Sequence, residues 1–211
     1  MIERDDIVRG AAALGVDLPA GAADRLAAYV RLLLKWNRSY NLTAIREPHR
    51  IVSYHVLDSL SVLPHLGVVG RLADIGSGAG LPGIPLAIAC PLLDVVSIEA
   101  AGKKASFQQQ ARIELALDNF VPVHGRIEQW RDERGCDAVI SRAFSDLAQF
   151  VRLAAPMLAP GGRLLAMKGR LPQRELTSLP PGIVVSEVIE LHVPGLDAHR
   201  HLIVMTNDGA D

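Results

Sequence analysis

No sign of charge dominates this chain. Its formal net charge is −1 at pH 7, so no overall basicity announces a nucleic-acid partner, and any contact with RNA must come from a local patch. Cysteine is nearly absent. Cys90 and Cys136 are the two present and have no metal-ligand spacing. They read as reduced thiols, they call for no metal, and they point to a cytoplasmic protein. No apolar run reaches membrane-spanning length, because Pro85 and Pro91 interrupt the best candidate. The opening Met-Ile-Glu-Arg-Asp-Asp is charged and lacks the apolar segment of a secretory signal. Repeats and low-complexity tracts are missing, and aromatics are few. What remains is ordinary apolar content in 211 residues, enough for one domain with a real core and room for an added helical segment.

The most informative stretch is Arg71-Leu-Ala-Asp74-Ile75-Gly76-Ser77-Gly78-Ala79-Gly80-Leu81-Pro82-Gly83. A compact apolar run reads as a buried strand. Gly76, Gly78 and Gly80 then supply a turn without Cβ atoms, and Pro82 suits the first turn of a helix. Such a turn lets a ligand lie against bare backbone at a helix N-terminus. Gly78-Ala-Gly80-Leu-Pro-Gly83 is a literal dinucleotide fingerprint, but out of register, since the glycine that closes the strand is Gly76. Counted from Gly76, the pattern Asp74-x-Gly76-x-Gly78-x-Gly80 resembles the first motif of Rossmann-like S-adenosylmethionine methyltransferases. A tight βα turn with no ligand is the plain alternative.

Residues 1–66 read as a helical N-terminal extension. Asp5 or Asp6 is placed to cap a first helix ending near Gly15. A second runs from Ala22 to Asn37, its apolar stripe of Leu26, Tyr29, Val30, Leu33, Trp36 and Tyr40 packing on the main domain. Pro48 opens a third helix that extends through Leu63 and is closed by Pro64. On it, His55 and Asp58 share a face at i, i+3, a satisfied helix-face pair or a substrate contact.

From residue 67 to 211 strands alternate with helices: strands at 71–75, 94–99, 120–124, 136–141, 163–168, about 183–191 and 201–206, helices at about 83–89, 102–117 and 146–158. This predicts an α/β fold with a mostly parallel seven-stranded sheet. Pro194-Gly195-Leu196-Asp197 joins the last two strands without a helix, so they form a hairpin and the final strand is antiparallel.

Ligands bind such sheets at the carboxyl ends of the strands. Those ends carry Gly76 to Leu81, then Glu99, an acid able to accept two ribose hydroxyls, then Arg126, Ile127 and Glu128, where an apolar side chain suits an adenine. After them come Arg142, Lys168 with Arg170, and Arg200 with His201. A cation at the end of a buried strand, as Arg142 is, needs a carboxylate, a phosphate or a ligand as partner. Together these cations predict a basic rim, extended by Lys103, Lys104 and Arg112, that fits an anionic substrate such as RNA.

The fourth strand ends in Ser141-Arg142-Ala143-Phe144. Methylation of exocyclic amines usually goes with Asp/Asn-Pro-Pro-Tyr/Phe there, and carbon-5 pyrimidine methylation with a placed cysteine; Cys136 begins its strand. Guanine N7 remains a fitting acceptor, since it has an in-plane lone pair and no proton. Its alkylation needs alignment and electrostatic support rather than a general base.

Five runs then carry a resemblance: Trp36-Asn37-x-x-Tyr40-Asn41-Leu42-Thr43, His55-Val-Leu-Asp58-Ser59, the glycine stretch from Asp74 to Pro85, Ile140-Ser-Arg142-Ala-Phe144, and Leu196-Asp197-x-x-Arg200-His201-Leu202. In this order they resemble the bacterial small-subunit rRNA guanine-N7 methyltransferases, also called glucose-inhibited division protein B. The resemblance implies a Rossmann-like class I fold and methyl transfer from S-adenosylmethionine to N7 of one guanine in the decoding-region loop of 16S rRNA. The substrate it implies is naked rRNA or a small-subunit assembly intermediate, and the enzyme is expected to act as a monomer. By the family's pattern, Gly76, Gly78, Gly80, Leu81, Glu99, Ile127, Glu128 and Arg142 contact the cofactor. Arg126, Lys168 and Arg200 match basic positions that face RNA or the target base in the family, and His201 is expected on the RNA side with them. Two alternatives stay open: an NAD(P)-dependent oxidoreductase, supported by the out-of-register fingerprint and Glu99, and a non-catalytic sensing module on the same fold.

Overall fold

The structure is a computed structural model in which residues 2–142, 144 and 146–208 are described. Ala143 and Ser145, within the expected loop after the fourth strand, lie outside the described residues.

Seven strands form one sheet: β1 (Arg71–Ile75), β2 (Asp94–Glu99), β3 (Phe120–His124), β4 (Cys136–Ser141), β5 (Leu158–Lys168), β6 (Ile183–Glu190) and β7 (His201–Asn207). Their order is β3-β2-β1-β4-β5-β7-β6. The pairs among β1 to β5 are parallel, and β7 runs antiparallel to both β5 and β6. The order reverses between β1 and β4, which makes the carboxyl ends of those two strands the switch point where such sheets take ligands. Because β7 is antiparallel, its first residue, His201, pairs with the last residue of β5, Lys168. The start of β7 therefore joins the ends of β1, β2, β4 and β5 on one edge.

Nine α-helical segments are described: α1 (Ile2–Ala13), α2 (Ala22–Tyr40), α3 (Pro48–Ile51), α4 (Asp58–Leu60), α5 (Leu63–Leu66), α6 (Gly83–Ala89), α7 (Gly102–Glu114), α8 (Leu147–Ala154) and α9 (Gln173–Leu176). Successive strand residues face opposite sides. Leu72, Ala138, Ile140 and Leu165 join one apolar cluster with Leu26, Leu33, Ile84 and Phe107 of the helices. Ala73, Ile75, Val139 and Leu164 join a second cluster with Phe150 and Val151 of α8. The N-terminal helices thus share a continuous core with the sheet. Among the described residues no helix is long and apolar enough to cross a membrane.

Several boundaries depart from expectation. α1 begins at Ile2, so Asp5 lies in its first turn instead of capping it; the acid still complements the positive end of the helix. α2 runs on to Tyr40 and stops where Asn41 turns left-handed. The third helix is not uniform. Between α3 and α4 it widens into a π-helical stretch, Val52–Leu57, and Pro64 sits inside α5 rather than closing the run. β5 starts at Leu158 instead of residue 163, with a shift in its register against β4. α7 ends at Glu114, and α8 gives way to a 3₁₀ turn at Ala155–Met157.

Candidate active site

The turn after β1 is built from backbone that only glycine adopts easily. Gly76, Gly78 and Gly80 have φ of 65°, 60° and 76°. A Cβ on Gly80 would stand 2.4 Å from Cδ1 of Ile84, and one on Gly83 would stand 2.8 Å from Oδ2 of Asp74, whereas one on Gly78 would meet open space. The turn is held from four sides. The Gly78 N–H donates to Oε2 of Glu99 at 2.7 Å. Nε2 of Gln108 donates to Oγ of Ser77 and to the Gly78 carbonyl, both at 2.8 Å. The Ser97 hydroxyl donates to that of Ser77 at 2.7 Å. The hydroxyl of the fully buried Tyr29, in α2, donates to the Ala79 carbonyl at 2.9 Å. Burial raises the phenol's pKa, so this donor keeps its proton.

Asp74, completely buried at the end of β1, accepts the Gly83 N–H through Oδ2 at 2.7 Å, while its Oδ1 has no partner among the described residues. Burial pushes this carboxyl up to about 7. Glu99 is buried, and its Oε1 accepts the Ala101 N–H at 2.8 Å. Each carboxylate oxygen has a second lone pair left to accept a hydroxyl.

Ile127 and Glu128 open the 3₁₀ turn after β3, Ile127 half-buried against the second apolar cluster and Glu128 exposed. Arg126, just before them, is also exposed. Since β3 and β5 are four strand spacings apart, Arg126 stands roughly 19 Å across the sheet from the strand that carries Lys168. The basic residues thus form separate groups along the edge, not one rim.

The second group is centred on Asp58. Its carboxylate, with 3% of the side chain exposed, accepts Nη1 of Arg142 on Oδ2 at 2.8 Å and Nε of Arg200 on Oδ1 at 2.9 Å. Arg142 finds in Asp58 the carboxylate its place at the end of β4 demands. Lys168 is mostly covered; its Nζ lies 2.8 Å from Oε2 of Glu175 and 3.2 Å from the Phe144 carbonyl. Lys168 and Arg200 are therefore ion-paired cations at this edge of the sheet, not freely extended ones. His201 is half-buried, and its Nδ1 has no partner among the described residues. Arg170 and Lys103 are exposed.

His55 and Asp58 turn to different partners. Nε2 of His55 is 2.8 Å from the Thr43 hydroxyl and Nδ1 is 3.0 Å from the Tyr54 carbonyl. Burial, and next the Arg142 charge, lower its pKa to about 4, so the ring is neutral near pH 7.

Sequence reasoning singled out neither Tyr29, read as packing, nor Gln108. The sequence singles out Asp58 only for sharing a helix face with His55 and does not tie it to Arg142.

Comparison with known proteins follows the same line. The family described as rRNA small subunit methyltransferase G (GidB) matches residues 22–203. A protein of Azoarcus sp. (strain BH72) named ribosomal RNA small subunit methyltransferase G is 57% identical over 196 residues, 93% of this chain and 92% of the relative. Among solved structures, an S-adenosylmethionine-dependent methyltransferase from Aquifex aeolicus superposes with a TM-score of 0.59 at 16% identity, over 78% of this chain and 96% of that one. A methyltransferase from Thiobacillus denitrificans, solved with S-adenosyl-L-homocysteine, gives 0.51 at 14% identity, over 72% and 90%. These two share the fold with the present chain.

Proposed function

Because the chain belongs to the rRNA small subunit methyltransferase G family, we propose that it transfers the methyl group of S-adenosylmethionine to N7 of one guanine in the decoding-region loop of 16S rRNA. The substrate is the free rRNA or a small-subunit assembly intermediate in the cytoplasm.

The residues present fit the cofactor. The left-handed turn at Gly76–Gly80 leaves bare backbone and, at Gly78, open space beside it. Glu99 keeps acceptor capacity for two ribose hydroxyls while fixing the Gly78 N–H. Ile127, half-buried, offers apolar surface for the adenine, and Glu128 lies beside it. Arg142 supplies positive charge at the switch point. Bound there, S-adenosylmethionine supplies an electrophilic methyl group on a sulfonium.

The observation that carries N7 as the acceptor is how the buried titratable groups at this edge are engaged or sealed. Asp58 holds two arginines, His55 is bound to Thr43, and Asp74, with one oxygen on the Gly83 N–H, is completely buried and out of a substrate's reach. A nucleophile that carries a proton would want one of them as a base. Guanine N7 wants none, so alignment and charge suffice. Arg126, Lys168, Arg200 and His201 are the RNA-facing residues of this reading, and the cluster at Asp58 carries net positive charge that suits a phosphate.

The test is incorporation of label from methyl-labelled S-adenosylmethionine into 16S rRNA, or into small-subunit particles, from cells lacking the modification. Label is expected in at least one of them. Label in neither, with NADH binding to the protein instead, would favour the oxidoreductase reading.

A further inference from the structure

We propose that Asp58 is a positioning residue that sets two arginines at the ends of two different strands, Arg142 toward the cofactor and Arg200 toward the RNA. The inference rests on the methyl-transfer reading above. One carboxylate joins the end of β4 to the start of β7, with Arg142 on Oδ2 and Arg200 on Oδ1. The two arginines lie 84 and 142 residues from it along the chain, so the junction exists only in the folded protein.

Its geometry is constrained from the helix side as well. Asp58 directly follows the π-helical stretch Val52–Leu57. Such widened turns are uncommon and often occur at functional sites. The same stretch brings the Tyr54 carbonyl within 3.4 Å of Nη1 of Arg142. Arg200 is steadied by a second bond, from its Nη1 to the His199 carbonyl at 2.9 Å.

Two features separate this from a purely structural ion pair. The charges do not balance, since two guanidiniums share one carboxylate and leave one positive charge over. The arginines are also not sealed in: their side chains are 23% and 22% exposed, against 3% for Asp58. The bonds named occupy Nη1 of Arg142 and Nε and Nη1 of Arg200. These bonds hold both planar forks in direction, and their exposed parts can meet an anionic or carbonyl group. Asp58 itself is too covered to touch substrate, so it acts through the arginines.

The experiment measures S-adenosylmethionine affinity by calorimetry, and kcat and KM for RNA by methyl transfer, in Asp58→Asn. Folding is checked by circular dichroism at the assay temperature. Cofactor Kd and RNA KM are both expected to rise roughly tenfold or more, as for displaced positioning groups. In an Arg142→Gln background, Asp58→Asn should add nothing to the cofactor defect. In an Arg200→Gln background it should add nothing to the RNA defect. A lower melting temperature with both constants as in wild type would overturn the proposal and leave Asp58 a stabilising ion pair. Should Asp58→Asn not fold, Asp58→Glu keeps the charge and moves it by one methylene. It is expected to show the same two defects, and wild-type constants there would also overturn the proposal. Wild-type protein that neither binds the cofactor nor transfers methyl would defeat the methyl-transfer reading instead.

Discussion

Tyr29→Phe removes one oxygen and leaves the ring, which packs 6.2 Å from Phe107. The lost atom is the donor to the Ala79 carbonyl at 2.9 Å. Tyr29 is fully buried and Ala79 is 4% exposed, so water does not readily replace the bond. A buried acceptor left without its partner costs about 1–3 kcal/mol. For a domain of this size, each kcal/mol shifts the melting temperature by about 2–4 °C, so a drop of roughly 2–12 °C is expected. The carbonyl belongs to the glycine turn, so part of the cost should reach the cofactor. If all 3 kcal/mol displaced the turn, affinity would fall by about two decades. We expect a smaller loss, roughly three- to tenfold, because Gln108, Ser97 and Glu99 still hold the turn. Calorimetric titration with S-adenosylmethionine and a thermal melt read the two effects, and saturating cofactor should restore kcat. Unchanged affinity alongside a lower melting temperature would refute the idea that α2 positions the turn. Both values at wild-type level would refute the hydrogen-bond argument altogether.

Other outcomes follow from neighbouring geometry. Gly78→Ala meets open space at φ 60°, so it should cost only about 1–2 kcal/mol of backbone strain while weakening cofactor affinity at least roughly tenfold; a wild-type affinity would show that the ligand does not approach there. Gly80→Ala, whose Cβ would collide with Ile84, should lower the melting temperature more than Gly78→Ala does, and the reverse order in paired melts would contradict the packing described. The pH dependence has opposing limbs. Asp74, raised from 3.8 to about 7 in the fold, favours the protonated native state, so its contribution is full below pH 4 and is lost as pH rises toward 7. His55, lowered from 6.5 to about 4, contributes above pH 6.5 and loses its contribution as pH falls through 4. Denaturant melts of Asp74→Asn should therefore lose stability on acidification from pH 6.5 to 4 more steeply than wild type; parallel profiles would place the Asp74 titration elsewhere.

Much of this architecture is legible in the chain because local chemistry decides it. The run from Asp74 to Gly83 encodes strand, left-handed turn and helix start within a dozen residues, and the structure has all three. The Pro194-Gly195-Leu196-Asp197 connector is too short for a crossover helix, which leaves only the antiparallel return seen for β7. Other features lie outside local pattern. Nothing in Val52-Ser-Tyr-His-Val-Leu57 marks a π-helical turn, since no glycine or proline interrupts it. Residues 159–162, Ala-Pro-Gly-Gly, fall between the expected helix and strand, yet belong to β5, which passes through a register shift. Tyr29 falls on an apolar helical stripe, and its hydroxyl partner is 50 residues away. The pairing of Asp58 with Arg142 and Arg200 joins three distant segments, so spacing along the chain cannot reveal it. The basic residues at the strand ends were readable individually, but only strand order shows that Arg126 stands apart from Lys168 and Arg200.

The atom that receives the methyl group can be identified directly. Treat 16S rRNA or small-subunit particles lacking the modification with protein and labelled S-adenosylmethionine, digest to nucleosides, and identify the product by mass spectrometry. Nuclease mapping then locates it. Label is expected in 7-methylguanosine, confined to one guanine of the decoding-region loop. Label in a nucleoside methylated on an exocyclic amine or on carbon would contradict the base-free chemistry argued from Asp58, Asp74 and His55.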